Sequence, residues 1–205
     1  MKILISAGPT REKIDPVRFI SNRSSGKMGY AIAKAAKDMG HEVILVSGPV
    51  NIPKIANITT IDVESASQMA EAVLGNSRDC DVVIMAAAVA DYRPALVSEH
   101  KIKKLPGKMV IELERTTDIL AELGKRKPTN QTLVGFAAES QDLLENALGK
   151  MERKNLDWIA ANLISDGFGS DTNKITLLGK NGEKILLGPK SKEEVAIDLL
   201  NSVIS

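Results

Sequence analysis

Only one of the 205 residues is cysteine, Cys80, and only two are histidine, His41 and His100. A lone cysteine excludes an internal disulfide and a zinc cluster built on thiolates. Two histidines are too few for a histidine-rich metal site, and they give no Ser/His/Asp triad that can be placed. Aromatic residues amount to 3%, which leaves little for stacking against the bases of a single strand. An excess of one charge is also missing: 27 Lys and Arg against 26 Asp and Glu give a net charge of +1. A non-specific nucleic-acid binder would depend on such an excess. The longest unbroken apolar run, Val82 to Ala90, falls well short of the roughly 20 residues that span a bilayer. The chain opens Met1-Lys2-Ile3-Leu4-Ile5 and runs at once into a strand, with no signal-peptide pattern. These absences predict a cytoplasmic protein with neither nucleic acid nor membrane as partner.

What is present is a core-forming pattern. Hydrophobic residues make up 43%, enough to bury a core in a chain of this length. Lys2 to Ser6, Val43 to Ser47, Ile58 to Val63 and Val82 to Ala87 read as short buried strands, two of them stopped by Gly-Pro. Between them lie a helix over 26–39, with Met28, Ala31, Ile32, Ala35 and Met39 on one face, and a helix opened by a capping box of Ser65 with Gln68. Strands alternating with helices predict βαβ units on a parallel sheet covered on both faces. Further along, the sequence predicts strands at Met109 to Leu113, Leu133 to Ala137 and Trp158 to Ala161, and helices over Thr117 to Gly124 and Asp142 to Lys154. A hairpin turning at Asn181-Gly182 and a last helix capped by Ser191 with Glu194 close the chain. No repeat, low-complexity segment or linker interrupts it. The expectation is one domain over residues 1–205: α/β, Rossmann-like and doubly wound, with a mainly parallel sheet, flanking helices and a C-terminal β-hairpin.

In such folds ligands sit beyond the carboxyl ends of the strands, and four segments there carry candidate chemistry. Ser21-Asn22-Arg23-Ser24-Ser25-Gly26-Lys27-Met28-Gly29 leads into the first helix. Its small residues and bare backbone N–H groups suit a phosphate. It is not a dinucleotide fingerprint. The loop before it is too long, and the second strand ends in Ser47-Gly48-Pro49 with no acid for a ribose hydroxyl. An NAD enzyme is therefore disfavoured, and no Walker-type loop is present. The second segment is Ala86-Ala87-Ala88-Val89-Ala90-Asp91-Tyr92-Arg93, where small residues admit a ligand, Asp91 can hold a metal or an amine, and Arg93 a phosphate. The third, Lys101-Ile102-Lys103-Lys104, can neutralise a polyphosphate, although a solvated surface run is the commoner meaning of such a cluster. The fourth is Gly135-Phe136-Ala137-Ala138-Glu139, with Lys150 and Lys154 on one face of the following helix.

Together these segments, in this order, resemble the phosphopantothenoylcysteine synthetase family of coenzyme A biosynthesis. Ala7-Gly8-Pro9-Thr10-Arg11-Glu12, Asp15-Pro16-Val17-Arg18 and Lys154-Asn155-Leu156-Asp157 extend the likeness over nearly the whole length. The resemblance implies a ligase that joins 4′-phosphopantothenate to cysteine through an acyl-cytidylate made from CTP with Mg²⁺. The metal ligands are left unassigned. It implies that Asn22 and Lys101 are catalytic, with Lys101 on a mobile loop, and that Arg18, Asn22, Ser24, Ser25 and Gly26 bind substrate. It further implies nucleotide contacts from Met85, Ala86, Ala87, Asp91, Lys101, Thr117, Asp118, Ile119, Leu120, Phe136, Lys150 and Lys154. A homodimer is expected by the same likeness, with Arg18 reaching across its interface. So is a flavin-dependent phosphopantothenoylcysteine decarboxylase as fused domain or separate protein.

Overall fold

The computed structural model describes residues 1–104, 106–139, 141–163 and 172–204. In chain order the first elements are β1 (Lys2–Ala7), β2 (Arg11–Lys13), β3 (Phe19–Ser21), α1 (Lys27–Asp38), β4 (Glu42–Ser47) and β5 (Thr59–Asp62). Then come α2 (Ala66–Asn76), β6 (Val82–Met85), β7 (Tyr92–Pro94), β8 (Leu113–Arg115), α3 (Ile119–Arg126) and β9 (Thr132–Glu139). The last are α4 (Leu143–Arg153), β10 (Trp158–Leu163), β11 (Thr172–Gly179), β12 (Lys184–Ser191) and α5 (Lys192–Val203).

The main sheet has the order β12-β11-β10-β9-β6-β1-β4-β5. It is parallel from β5 to β10, and the β11–β12 hairpin extends it in antiparallel sense. The expected doubly wound fold with a C-terminal hairpin is therefore the one observed. Chain direction across the sheet reverses between β1 and β6, so their carboxyl ends frame the crevice where this architecture takes ligands.

Successive strand residues point to opposite faces, and the apolar runs bury both. Ile3, Ile5, Leu45 and Ile84 pack on one side with Ile32 and Ala36 of α1 and Val195 and Leu199 of α5. Leu4, Val46, Val83 and Leu133 pack on the other with Met69 of α2, Leu123 of α3 and Met151 of α4. Both capping boxes form: Ser65 with Gln68 opens α2, and Ser191 with Glu194 opens α5. Among the described residues no helix is long and apolar enough to cross a membrane.

Three readings of local structure change. The fourth strand ends at Met85 rather than Ala87, because the Ala87 N–H leaves the ladder and donates to Ser6 Oγ at 3.1 Å. The stretch from Met109 to Glu112 is not strand. Met109 is 54% and Val110 88% exposed, so its apolar side chains find no sheet to pack on. Only Leu113–Arg115 pairs, and its partner is Tyr92–Pro94. Inside what reads as one long loop after β1, Arg11–Lys13 and Phe19–Ser21 form a small hairpin, tied by Arg11 lying over the Phe19 ring at 4.6 Å.

Candidate active site

The loops after β1 and β6 are bonded to each other. The Ala88 N–H donates to Gly8 O at 2.9 Å, the Thr10 N–H to Ala88 O at 3.3 Å, and the Ala90 N–H to Thr10 Oγ1 at 3.0 Å. This pairing continues the sheet past its edge and holds residues 86–90 open toward the α1 entrance. Gly26 stands at that entrance with φ +78°, a backbone that L residues rarely adopt. Among the described residues no side chain caps α1, and its first turn carries no acid, so its N-terminal dipole favours an anion there. Gly29 has a different reason to be glycine. A Cβ there would lie 2.5 Å from Ala7 Cβ and 3.0 Å from Ala7 Cα, so only glycine lets the first turn rest on β1.

Two clefts meet here. The first, of about 200 Å³, is lined by Ser24, Ser25, Gly26, Lys27 and Gly29 on the helix side and by Ala86, Ala87 and Ala88 on the β6 side. Its far wall is Phe136, Ala138, Asn162, Asn173 and Lys192. The second, of about 130 Å³, is lined by Met85, Ala87, Asp91, Thr117, Asp118, Ile119, Leu120, Phe136, Lys150 and Lys154. Ala87 and Phe136 line both, so one ligand can lie across them.

The second cleft is held by polar contacts that its own sequence explains. Asp118 is the N-cap of α3, accepting from the Ala121 N–H at 3.0 Å. Lys154 Nζ sits 2.8 Å from the same carboxylate. Burial alone would raise the Asp118 carboxyl, but Lys154, the Ala121 N–H and the Lys150 charge outweigh it and hold it below the usual carboxylate range. Lys150 Nζ donates to Phe136 O at 2.7 Å. After α4, Asn155 takes φ +50° and donates to Gly124 O at 2.9 Å, which fixes Lys154 against the end of α3.

Three of the expected residues line neither cleft. Asn22 Nδ2 donates to Ala88 O at 3.1 Å and Val89 O at 3.3 Å, so it grips the ridge between the two. Arg18 lies further out, its guanidinium bonded to the Asp15 carboxylate and, at 2.9 Å, to Ile102 O. This pairing holds the Asp15 carboxyl far below the usual carboxylate range, against the opposing pull of burial. Lys101, Lys103 and Lys104 are exposed and hydrogen-bond to no described residue. Arg93, read as a phosphate ligand, is instead paired with Glu114 at 2.8 Å across the β7–β8 hairpin.

The sequence reading missed the far wall of the first cleft. Asn162 lies next to the last residue of β10, Asn173 is the second residue of β11, and Lys192 opens α5. The signal for Asn162 was a polar residue directly after the buried Ile159-Ala160-Ala161 run. Asn173 and Lys192 reach the site only through the hairpin's return along the sheet. Other segments of the likeness prove to be scaffold. Glu12 is buried and accepts from the Ala66 N–H at 2.8 Å, which caps α2. Asp157 is buried between Lys127 and Lys180 on the opposite edge of the sheet.

All 205 residues match the DNA/pantothenate metabolism flavoprotein C-terminal domain family. The chain belongs to that family. Its relatives include the coenzyme A biosynthesis bifunctional protein CoaBC of Bacillus subtilis (strain 168), 50% identical over 205 residues, covering 98% of this chain and 50% of that protein. A cysteine/cysteine sulfinic acid decarboxylase from an unknown prokaryotic organism is 51% identical over 208 residues, covering 100% of this chain and 58% of that protein. The chain thus spans between half and three-fifths of the length of these relatives. The crystal structure of the C-terminal domain of a coenzyme A biosynthesis bifunctional protein CoaBC superposes with a TM-score of 0.85 at 51% identity. That match covers 98% of this chain and 93% of that one. The family's C-terminal domain is therefore the unit present here.

Proposed function

We propose that this chain is a CTP-dependent phosphopantothenate–cysteine ligase. The observation that carries the proposal is the pair of clefts joined at Ala87 and Phe136. One offers an uncapped helix N-terminus and small residues for phosphate, the other two lysines and a carboxylate beside a flat side chain for a nucleoside. The CoaBC relatives support the same reading.

In this reaction a carboxylate oxygen of 4′-phosphopantothenate attacks the α-phosphorus of CTP, and pyrophosphate leaves. The cysteine amine then attacks the acyl carbon and CMP leaves, giving 4′-phosphopantothenoylcysteine. The residues orient charged groups and neutralise them. Lys150 and Lys154 would face the nucleotide, with Asp91, Thr117, Asp118 and the backbone of Met85 to Ala87 around it. The 24–29 segment would hold phosphate. Asn22, a neutral amide that can donate and accept, would hold the acyl-cytidylate at the ridge, and Lys101 would bring positive charge to the reacting groups. Mg²⁺ would arrive on the triphosphate, since among the described residues no three His, Cys, Asp or Glu side chains gather to cage an ion.

Partners follow from exposure. Val17 before β3, Phe19 in β3, Tyr92 on β7, Val110 before β8 and Leu113 in β8 leave large apolar side chains in solvent on and beside the two small hairpins. A second copy of the chain is the proposed cover, and sedimentation as a monomer at micromolar concentration would overturn it. The remaining length of the relatives leaves room for a flavin-dependent decarboxylase as a fused or separate partner.

The direct test mixes the protein with Mg²⁺, CTP and 4′-phosphopantothenate and follows pyrophosphate with and without cysteine. Release is expected in both cases, with 4′-phosphopantothenoylcysteine formed only when cysteine is present. No release in either case from folded protein would refute the ligase. Equal rates with ATP would refute the choice of nucleotide.

A further inference from the structure

The Asp15–Arg18 turn and the lysine run lie more than eighty residues apart, yet they are joined at Ile102. The Ile102 N–H donates to Asp15 Oδ2 at 3.1 Å, and Ile102 O accepts from Arg18 Nη2 at 2.9 Å. The same turn holds the chain again just upstream, where the Ser98 N–H donates to Ile14 O at 3.0 Å. Asp15 is 2% exposed. Its carboxylate also accepts from the N–H groups of Val17 and Arg18, each at 2.9 Å. A buried carboxylate with this many donors has a single arrangement in which all are satisfied. The Ile102 N–H belongs to the peptide that joins it to Lys101, so Asp15 fixes the plane from which Lys101 leaves the backbone, while Arg18 holds the next peptide through Ile102 O. Beyond Ile102, the Lys103 and Lys104 side chains hydrogen-bond to no described residue.

We infer that Asp15 is a positioning residue for Lys101: with Arg18 it anchors the backbone on both sides of Ile102 and so aims the first lysine of the run at the reacting groups. The inference rests on the role proposed above for Lys101. The anchor itself does not depend on that role.

Two measurements separate these levels. Limited trypsin digestion of the parent and of Asp15→Asn reads the anchor without any chemistry. Cleavage after Lys101, Lys103 and Lys104 should quicken at least about tenfold while cleavage elsewhere is unchanged, as local opening predicts. Unchanged cleavage there overturns the anchor, whatever the enzyme does. Pyrophosphate release then reads the positioning. Asp15→Asn should lower kcat roughly 10–100-fold, the scale of a small misplacement of a reacting group. In a Lys101→Ala background the same change should lower kcat by less than about twofold, because the two residues act as one unit. Additive losses would show that Asp15 does not act through Lys101. If the parent releases no pyrophosphate, the ligase reading fails and the trypsin result still decides the anchor. Should Asp15→Asn not fold, Asp15→Glu replaces it in both measurements. It keeps the negative charge, but the extra methylene moves the carboxylate off the Ile102 N–H, and the same outcomes are decisive.

Discussion

Gly29→Ala sets two effects of known size against each other. Alanine is the better helix former by about 1 kcal/mol in a helix interior, and by less in a first turn. Against this stands the contact with β1. The new Cβ would lie 2.5 Å from Ala7 Cβ and 3.0 Å from Ala7 Cα, where ordinary carbon contacts need about 3.5–4.0 Å. Neither neighbour can turn aside. Ala7 is fully buried and is held in register with Ser47 of β4. The start of α1 must therefore lift by about 1 Å to restore normal contact distances. Overpacking of this kind amounts to about 1–3 kcal/mol, so it wins, with a net destabilisation of about 1–2 kcal/mol. Urea unfolding at constant m reads this directly. Gly75 is the control, because a Cβ there meets nothing within 4 Å. Gly75→Ala should stabilise by up to about 1 kcal/mol. The lifted helix start also forms one wall of the first cleft, so Gly29→Ala should slow pyrophosphate release roughly 10–100-fold. If Gly29→Ala were as stable as the parent, the helix would not rest on β1 as described. The case for glycine in this segment would then fall with it.

Two further changes probe other levels. Asn22→Asp replaces a donor that reaches Ala88 O and Val89 O with a carboxylate facing two carbonyl oxygens. Turnover should fall roughly 100-fold, while stability moves by less than about 1 kcal/mol because the residue is exposed. Activity within a few-fold of the parent would remove Asn22 from the site. Asp157→Asn leaves Lys127, 11% exposed, without the negative charge of its 2.5 Å partner. The expected loss is about 3 kcal/mol, the low end for breaking a buried pair, because Lys180, the second partner, is 56% exposed and can turn to water. Burial raises the Asp157 carboxyl, but Lys127, Lys180 and the Leu133 N–H together bring it below its ordinary value. Its contribution is therefore complete above about pH 4, the unfolded carboxylate value, and is lost as pH falls through the lower folded value. Unfolding curves of parent and variant should converge on acidification below that point. A gap that stays constant would mean that Asp157 does not carry the charge assigned to it.

The sheet, its helices and its caps were legible because each depends on neighbours in sequence. Periodicity placed α1 to within a residue, and the Ser65 and Ser191 boxes marked two helix starts. The misreadings fall where tertiary contact decides. Met109-Val110-Ile111 has strand composition, but strand formation needs a partner with a face to pack on, and none is supplied among the described residues. The strand reading of Ala86 and Ala87 failed because Ser6, some eighty residues earlier, captures a ladder N–H. Phe136, Lys150 and Lys154 line one cleft with Met85, Ala87 and Asp91 because strand and helix order carries them to the same edge. Asn173 and Lys192 arrive from the returning hairpin, whose reach local pattern does not encode. The pairing of Arg93 with Glu114 was not legible, because it lies across a hairpin that the sequence did not announce.

The same topology serves dinucleotide enzymes, and a few residues decide why it would serve a different ligand here. In those folds the crevice extends from the first strand toward the second, where an acid meets a ribose. In this chain the corresponding strand end is Ser47, and its hydroxyl is engaged by Tyr30 OH at 3.0 Å and by Gly48 O at 2.9 Å. The Gly48 N–H donates to Ala7 O at 2.9 Å. Val50 then lies so close that a Cβ on Gly26 would meet its Cγ1 at 2.6 Å. The 48–50 loop thus packs onto the α1 entrance and closes the β4 side of the crevice. On the other side, Ala86, Ala87 and Ala88 present no bulk. Open space therefore runs from Gly26 past Ala87 to Phe136, Lys150 and Lys154. A ligand anchored by phosphate at α1 can extend toward β6 and β9 through the two clefts that share Ala87 and Phe136, and the nucleotide proposed above would meet Lys150 and Lys154 there.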